Sequence, residues 1–132
     1  MHWRNRLFVT LAVGYAVLGG LVGIVWSAWP GLIPGNVPRA HGHLMLLGFM
    51  AMMVYGVGLH VLPRFAGRPL FSERVANWQL YLANLGLVLM IIGWLALYPA
   101  LVSAGGALAW LAMGLFAGNV VLTVRHYGPQ GA

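Results

Sequence analysis

The 132-residue chain contains no cysteine and a single acidic residue, Glu73. Without cysteine it has no disulfide framework, no thiolate nucleophile, no iron–sulfur cluster and no cysteine-ligated zinc. With one carboxylate it has neither the paired acids of a glycosidase nor a carboxylate cage for calcium or magnesium. A catalytic or metal site in this chain would therefore have to be built from histidines.

Charge is also scarce, whereas apolar residues are abundant. Charged residues make up 6% of the chain and hydrophobic residues 61%, and the mean hydropathy is +0.87. A soluble domain carries about 25% charged residues, so this composition indicates a membrane protein in contact with the lipid bilayer. The net charge of +6 comes from arginines that flank apolar runs. They form no basic stripe with interleaved aromatics, so we expect no nucleic-acid partner.

Four apolar runs predict the architecture. They cover residues 6–28, 40–63, 74–98 and 101–125, and proline, glycine or arginine flanks each of them. A transmembrane helix needs about 20 apolar residues, so each run is long enough to cross the bilayer. The sequence thus predicts an all-α fold, an integral membrane four-helix bundle that forms a single transmembrane domain over residues 1–132. Ser72 is expected to cap the third helix, with Glu73 in its first turn.

The arginines predict the orientation of the bundle. Arg39 lies at one end of the predicted bundle and the other six lie at the opposite end: Arg4, Arg6, Arg64, Arg68, Arg74 and Arg125. By the positive-inside rule, the end with six arginines is cytoplasmic. We therefore expect both termini in the cytoplasm of a multi-pass protein in a bacterial-type inner (plasma) membrane.

Two glycine pairs have the spacing that allows close helix packing. Gly19 and Gly23 lie in the first run, and Gly114 and Gly118 lie in the fourth. Small residues four apart let two helix backbones approach in a membrane. The pattern predicts either a compact bundle or a homo-oligomer, and the sequence leaves both open.

The second run contains three histidines, and ionisable residues inside a span are functional candidates. His41 and His60 are 19 residues apart, about 28 Å along a helix, so they cannot share a metal within one chain. His41 and His43 are separated by about 200° around the helix and are expected to face different directions. At the cytoplasmic end, His60 and His126 lie at nearby depths, which raises the hypothesis of a second two-histidine site. Each histidine is equally compatible with a plain interfacial or backbone-bonded role.

Haem is the cofactor that best fits the surroundings of His41, because imidazole is the usual proximal ligand of haem iron. A stripe at helical spacing follows His41, with small residues that would leave room for a flat macrocycle and with soft or aromatic residues that would line it. Its members are Met45, Gly48, Met52, Tyr55 and Gly56. Arg39 is placed to pair with the haem propionates. The same stripe is also compatible with simple packing.

Two other interpretations remain open. Copper or another transition metal would suit histidine together with thioether ligands, with the candidates His41, His43, Met45, Met50, Met52 and Met53. A purely structural subunit of a respiratory complex would bind no cofactor at all. The candidate metal ligands are His41, His43 and His60, and no residue is assigned a catalytic role.

The second run also carries a family resemblance. The run contains, in order, a basic residue before a histidine pair, a Gly-Phe step within the helix and a closing Pro-Arg. These residues are Arg39, His41, His43, Gly48, Phe49, Pro63 and Arg64. The run resembles the second transmembrane helix of haem–copper oxidase subunit I and its nitric-oxide-reductase relatives. With Phe65 and Gly67 added, it is still more similar to the NnrS family of haem- and copper-containing membrane proteins. NnrS-type sequences have an acidic residue where this chain has Leu44.

This resemblance implies that His41 is an axial ligand of b-type haem near the outer membrane face. The oxidases take their second axial histidine and their copper ligands from later helices that this chain does not contain, so the isolated chain is not expected to reduce oxygen. The expected function is electron transfer, or binding of a diatomic gas such as O2 or NO, with Met45, His43 or a second subunit as the sixth ligand. A homo-oligomer and a respiratory-chain or denitrification partner follow from the same analogy.

Overall fold

The computed structural model describes residues 1–125 as four helices joined by short turns. They are α1 (Trp3–Ala28), α2 (Val37–Phe65), α3 (Glu73–Leu95) and α4 (Pro99–Arg125). All four are long and apolar enough to cross a membrane. The predicted all-α four-helix architecture is therefore confirmed for the described residues.

The third predicted span extends beyond the helix that forms. It was expected to reach Tyr98, but α3 ends at Leu95. Leu97 adopts a φ of 53°, in the left-handed region that a helix cannot continue through, and the Tyr98 amide donates to the carbonyl oxygen of Gly93 at 2.8 Å. Pro99 then opens α4, because its fixed φ suits the first turn of a helix. This tight turn makes α3 and α4 an antiparallel hairpin.

The α2 helix changes its winding along its length. It is α-helical over Val37–His43, π-helical over Leu44–Ala51 and α-helical again over Met52–Phe65. Asn36 caps its start, since the Asn36 side chain accepts from the Arg39 amide at 3.3 Å. The α-helical start of α2 carries His41 and His43 in its second turn, and the π-helical segment begins directly after it.

Two antiparallel contacts organise the bundle. In the α3–α4 seam, a Cβ added to Gly86 would lie 2.7 Å from the carbonyl oxygen of Gly105, so the two backbones are in contact. In the α1–α2 seam, a Cβ added to Gly56 would lie 2.8 Å from a methyl carbon of Val9. The apolar core lies where these pairs meet, and its buried members are Phe8, Ala12, Met52, Tyr55, Leu59, Leu70, Ala76, Leu80, Ala83, Leu87 and Ala112.

The bundle end that holds the start of α1 carries an ion pair between a buried arginine and a partly exposed glutamate. Arg4 is 1% exposed and donates to Glu73 at 2.6 Å and to the side-chain oxygen of Asn77 at 3.0 Å. The Ser72 side chain accepts from the Val75 amide at 3.2 Å, so the predicted cap of α3 is confirmed. The chain's single acid thus joins the starts of α1 and α3.

Residues of α4 hold the turn between α2 and α3 at the same end of the bundle. The side chain of Asn119, which is buried, accepts from the Ser72 amide at 3.0 Å and donates to the Ser72 carbonyl at 2.9 Å. Thr123 accepts from the Phe71 amide at 3.0 Å. Both polar side chains satisfy loop backbone groups that would otherwise be buried without partners.

Candidate functional site

His41 is held by a hydrogen bond across the α1–α2 seam. Its Nδ1 lies 2.8 Å from the carbonyl oxygen of Gly19. A carbonyl oxygen only accepts, so Nδ1 carries the proton in this contact, and Nε2 of the neutral ring keeps its lone pair. Within the described residues, Nε2 makes no hydrogen bond. Ligating histidines typically show this arrangement, in which one ring nitrogen donates to a carbonyl and the other binds the metal.

The imidazole fits against α1 because Gly23 has no side chain. A Cβ added to Gly23 would lie 2.8 Å from Cε1 and 3.0 Å from Nδ1 of His41. One helical turn away, a Cβ added to Gly19 would lie 2.7 Å from the sulfur of Met45. The predicted Gly19 and Gly23 spacing thus serves packing within the chain, and it seats His41 and Met45 in one groove.

A cavity of about 500 Å³ adjoins His41 on the α1 side. Cofactor and small-molecule sites have volumes of about 300–1,000 Å³, so the size fits such a group. The lining is mostly small, with one indole and one hydroxyl, and consists of Gly20, Gly23, Ile24, Trp26, Ser27, Ala28 and His41. The cavity opens at the surface of the bundle, beside the C-terminal half of α1.

His43 points away from this cavity, as the 200° separation predicted. Its Nδ1 donates to the carbonyl oxygen of Arg39 at 2.7 Å, and its ring lies 5.8 Å from the ring of Trp94. The guanidinium of Arg39 lies 4.9 Å from the Trp94 ring centroid. Arg39 and His43 therefore face α3, and Arg39 does not line the His41 cavity. The expected pairing of Arg39 with haem propionates finds no support in this placement.

The stripe that follows His41 does not leave room for a macrocycle. A Cβ added to Gly48 would lie 2.7 Å from Cβ of Tyr15, and Gly56 is covered by Val9. Met52 and Tyr55 are buried in the core. That expectation is wrong, because the glycines of α2 admit side chains of α1 instead of a cofactor. The open cavity that adjoins His41 lies on its α1 side instead.

The remaining candidate ligands are dispersed. Met52 is 1% exposed in the core, whereas Met50 is 56% exposed on the bundle surface. His60 lies one turn before Arg64, at the far end of α2, and makes no hydrogen bond within residues 1–125. The described residues contain no group of three or more histidine or acidic side chains that could hold a metal ion. His126, the proposed second partner of His60, lies outside the described residues.

The second glycine pair differs from the first. A Cβ added to Gly114 or Gly118 would meet nothing within 4 Å. Their spacing therefore serves no packing within the described chain, and this face of α4 is open.

Sequence reasoning missed several polar side chains inside the bundle. Tyr15 donates to the side-chain oxygen of Asn84 at 2.7 Å, which joins α1 to α3 one turn from the Gly19 carbonyl. Gln79 is fully buried, and neither its amide nitrogen nor its oxygen has a partner within the described residues. A polar residue inside an apolar run was the available signal, but it identifies no partner. The sequence carries a stronger signal for the ion pair of Arg4, since Glu73 is the only acid in the chain.

Comparison with known proteins gives no family assignment. No protein-family model, curated protein or solved structure matches the chain.

Proposed function

We propose that this chain is a small multi-pass membrane protein that binds b-type haem through Nε2 of His41 and serves in electron transfer or in the binding of O2 or NO. The observation that carries the proposal is the hydrogen bond from Nδ1 of His41 to the Gly19 carbonyl at 2.8 Å. It orients the ring and leaves Nε2 as a free ligand beside a cavity of about 500 Å³. The resemblance of α2 to haem–copper oxidase and NnrS helices supports the same ligand.

The residues present fit one axial side of a haem. Small residues of α1 lie along the cavity, Trp26 offers an aromatic surface, and Ser27 offers a hydroxyl. When bound, the group would supply a redox-active iron. The chain's own residues orient the imidazole and, through Gly23, set how closely α1 approaches it. If the termini are cytoplasmic, as the arginines predict, His41 lies near the outer face of a bacterial-type inner membrane.

The test compares two histidines of the same helix. Detergent-purified wild type, His41→Ala and His43→Ala are produced with ample haem, and their haem content and reduced optical spectra are measured. We expect b-type bands in the wild type and in His43→Ala, and a haem content at least tenfold lower in His41→Ala. Equal haem in all three proteins, or none in the wild type, would contradict the proposal.

A second candidate function is copper binding, because His41 and Met45 share the groove over Gly23 and Gly19. Residues four apart on a helix lie about 5–6 Å apart at Cβ, and imidazole with thioether suits Cu(I). Met45→Leu separates the two functions. It should abolish copper binding while leaving haem content unchanged, and metal analysis of the same preparations reads out both. Unchanged content of both in His41→Ala would leave only a structural role in a larger complex.

A further inference from the structure

Within residues 1–125, the haem site proposed above offers one axial ligand, His41. Met45 lies on the same face of α2 as His41 and shares its groove, so it cannot approach the opposite face of a flat macrocycle. His43 is turned toward Trp94. His60 is about 28 Å away along α2. Among residues 1–125, the cavity lining includes no methionine and no histidine other than His41.

The cavity lies on a face of α1 that the other residues of 1–125 leave uncovered. Val17 is 68% exposed, Leu21 is 56% exposed and Ile24 is 64% exposed. A Cβ added to Gly20, which lines the cavity, would meet nothing within 4 Å. Small residues on an exposed helix face allow another helix to approach closely in a membrane. The far side of the cavity is therefore accessible to another chain.

Membrane insertion restricts what a second copy can bring there. Copies of one protein insert with the same orientation, so a closed pair has its two-fold axis along the membrane normal, and each residue meets the partner at its own depth. At the depth of His41, the side chain that offers an unpartnered imidazole nitrogen on the α1 side is the partner's His41. His43 at nearly the same depth is turned to the α3 side.

We infer that one haem is shared by two copies of this chain, with His41 of each copy as an axial ligand. This inference rests on the proposed function and adds its partner and its ligand set. The two α1 helices would approach along the face that carries Val17 and Gly20. Because the group has no imidazole on its far side unless a second copy is present, cofactor binding and dimer formation should depend on each other.

The test uses mixed pairs. Wild-type chains and His41→Ala chains carrying a different tag are produced together, and the three pairs are separated by sequential affinity steps. For each pair, the mass in detergent, the haem content per chain and the reduced spectrum with and without carbon monoxide are measured. In the wild-type pair we expect one haem for two chains and a spectrum unchanged by carbon monoxide, since both axial positions are occupied.

The mixed pair gives the decisive result. With one His41, its haem should have an open position, so carbon monoxide should shift the Soret band. The doubly substituted combination should contain no haem and should dissociate to single chains. One haem per chain in the wild type, or a mixed pair that keeps the wild-type spectrum at half the haem content, would overturn the inference while leaving His41 as a haem ligand. A wild type without haem would overturn the proposed function itself.

A surface variant provides an independent readout. Val17→Trp adds bulk on the exposed α1 face without lining the cavity, and Val121→Trp does the same on exposed α4. We expect Val17→Trp to convert the pair to single chains with carbon-monoxide-sensitive or lost haem, while Val121→Trp remains a pair with the wild-type spectrum. Retention of a wild-type pair by Val17→Trp would contradict the inference.

Discussion

The α3–α4 seam and the α1–α2 seam both depend on glycines, but the missing Cβ atoms admit different neighbours. At Gly86 and Gly105 the neighbour is backbone of the opposite helix, at 2.5–2.7 Å from an added Cβ. At Gly23 the neighbour is the His41 imidazole. Glycine in the first seam joins two helices, whereas glycine in the second makes room for a side chain with a free ligand atom. The first contact joins backbones, and under the proposed function the second positions the cofactor ligand.

The largest effect is expected in the α3–α4 seam. In Gly105→Ala, the new Cβ would lie 2.5 Å from the carbonyl oxygen of Gly86, and backbone cannot move aside as a side chain can. We expect the free energy of unfolding to fall by about 3 kcal/mol, at the upper end of ordinary overpacking. Gly106→Ala is the matched control, because its nearest neighbour is Met90 at 4.0 Å. Denaturation in detergent, followed by circular dichroism, measures the stability of both variants. Equal stabilities would contradict the claim that this backbone contact stabilises the fold.

In the α1–α2 seam, Gly23→Ala should impair cofactor binding more than folding. The new Cβ would lie 2.8 Å from Cε1 of His41, so the ring must turn and lose its bond to Gly19. We expect the haem affinity, measured by haem titration, to fall about tenfold, which corresponds to about 1.4 kcal/mol of binding free energy. Gly14→Ala on the same helix has open space and should bind haem normally. A Gly23→Ala protein that unfolds instead would make this seam structural like the other.

Removing the Glu73 partner of the buried Arg4 tests whether stability at the bundle end comes from charge. In Glu73→Ala, the Arg4 guanidinium remains buried with neutral partners, Asn5 and Asn77. We expect a loss of about 2 kcal/mol, below the 3–5 kcal/mol typical of a broken buried pair, because Glu73 itself is 55% exposed. Arg74→Ala, an exposed arginine of the same helix turn, is the control. Comparable stability of both variants would show that Arg4 needs no counter-charge.

The smallest effect is expected at Gln79, on the buried face of α3. Its amide has no partner within the described residues, so Gln79→Leu exchanges an unsatisfied polar group for an apolar one of similar size. Such a change is nearly neutral or stabilising, by about 0–1 kcal/mol. A loss of more than about 1 kcal/mol in thermal unfolding would show that the amide has a bound partner, for example a buried water.

The helices could be predicted from the sequence because four apolar runs of membrane-spanning length leave few alternatives. The opposite facing of His41 and His43 also followed from helix geometry. The end of α3 did not, since Leu97 adopts a backbone conformation that its residue type disfavours. The side of His41 on which a ligand fits was not predictable either. It depends on which glycines of α2 are covered by side chains of α1. Helix pairing is a tertiary property that residue spacing within one run does not determine.

The most direct test of the account removes the His41 side chain and supplies its ring from solution. His41→Gly protein is purified with ample haem, and its reduced spectrum is recorded with and without added imidazole, beside the wild type and His43→Gly. We expect b-type bands in the wild type and in His43→Gly, none in His41→Gly alone, and their return with imidazole. Haem retained by His41→Gly without imidazole, or absent from the wild type, would contradict the claim that His41 is the ligand.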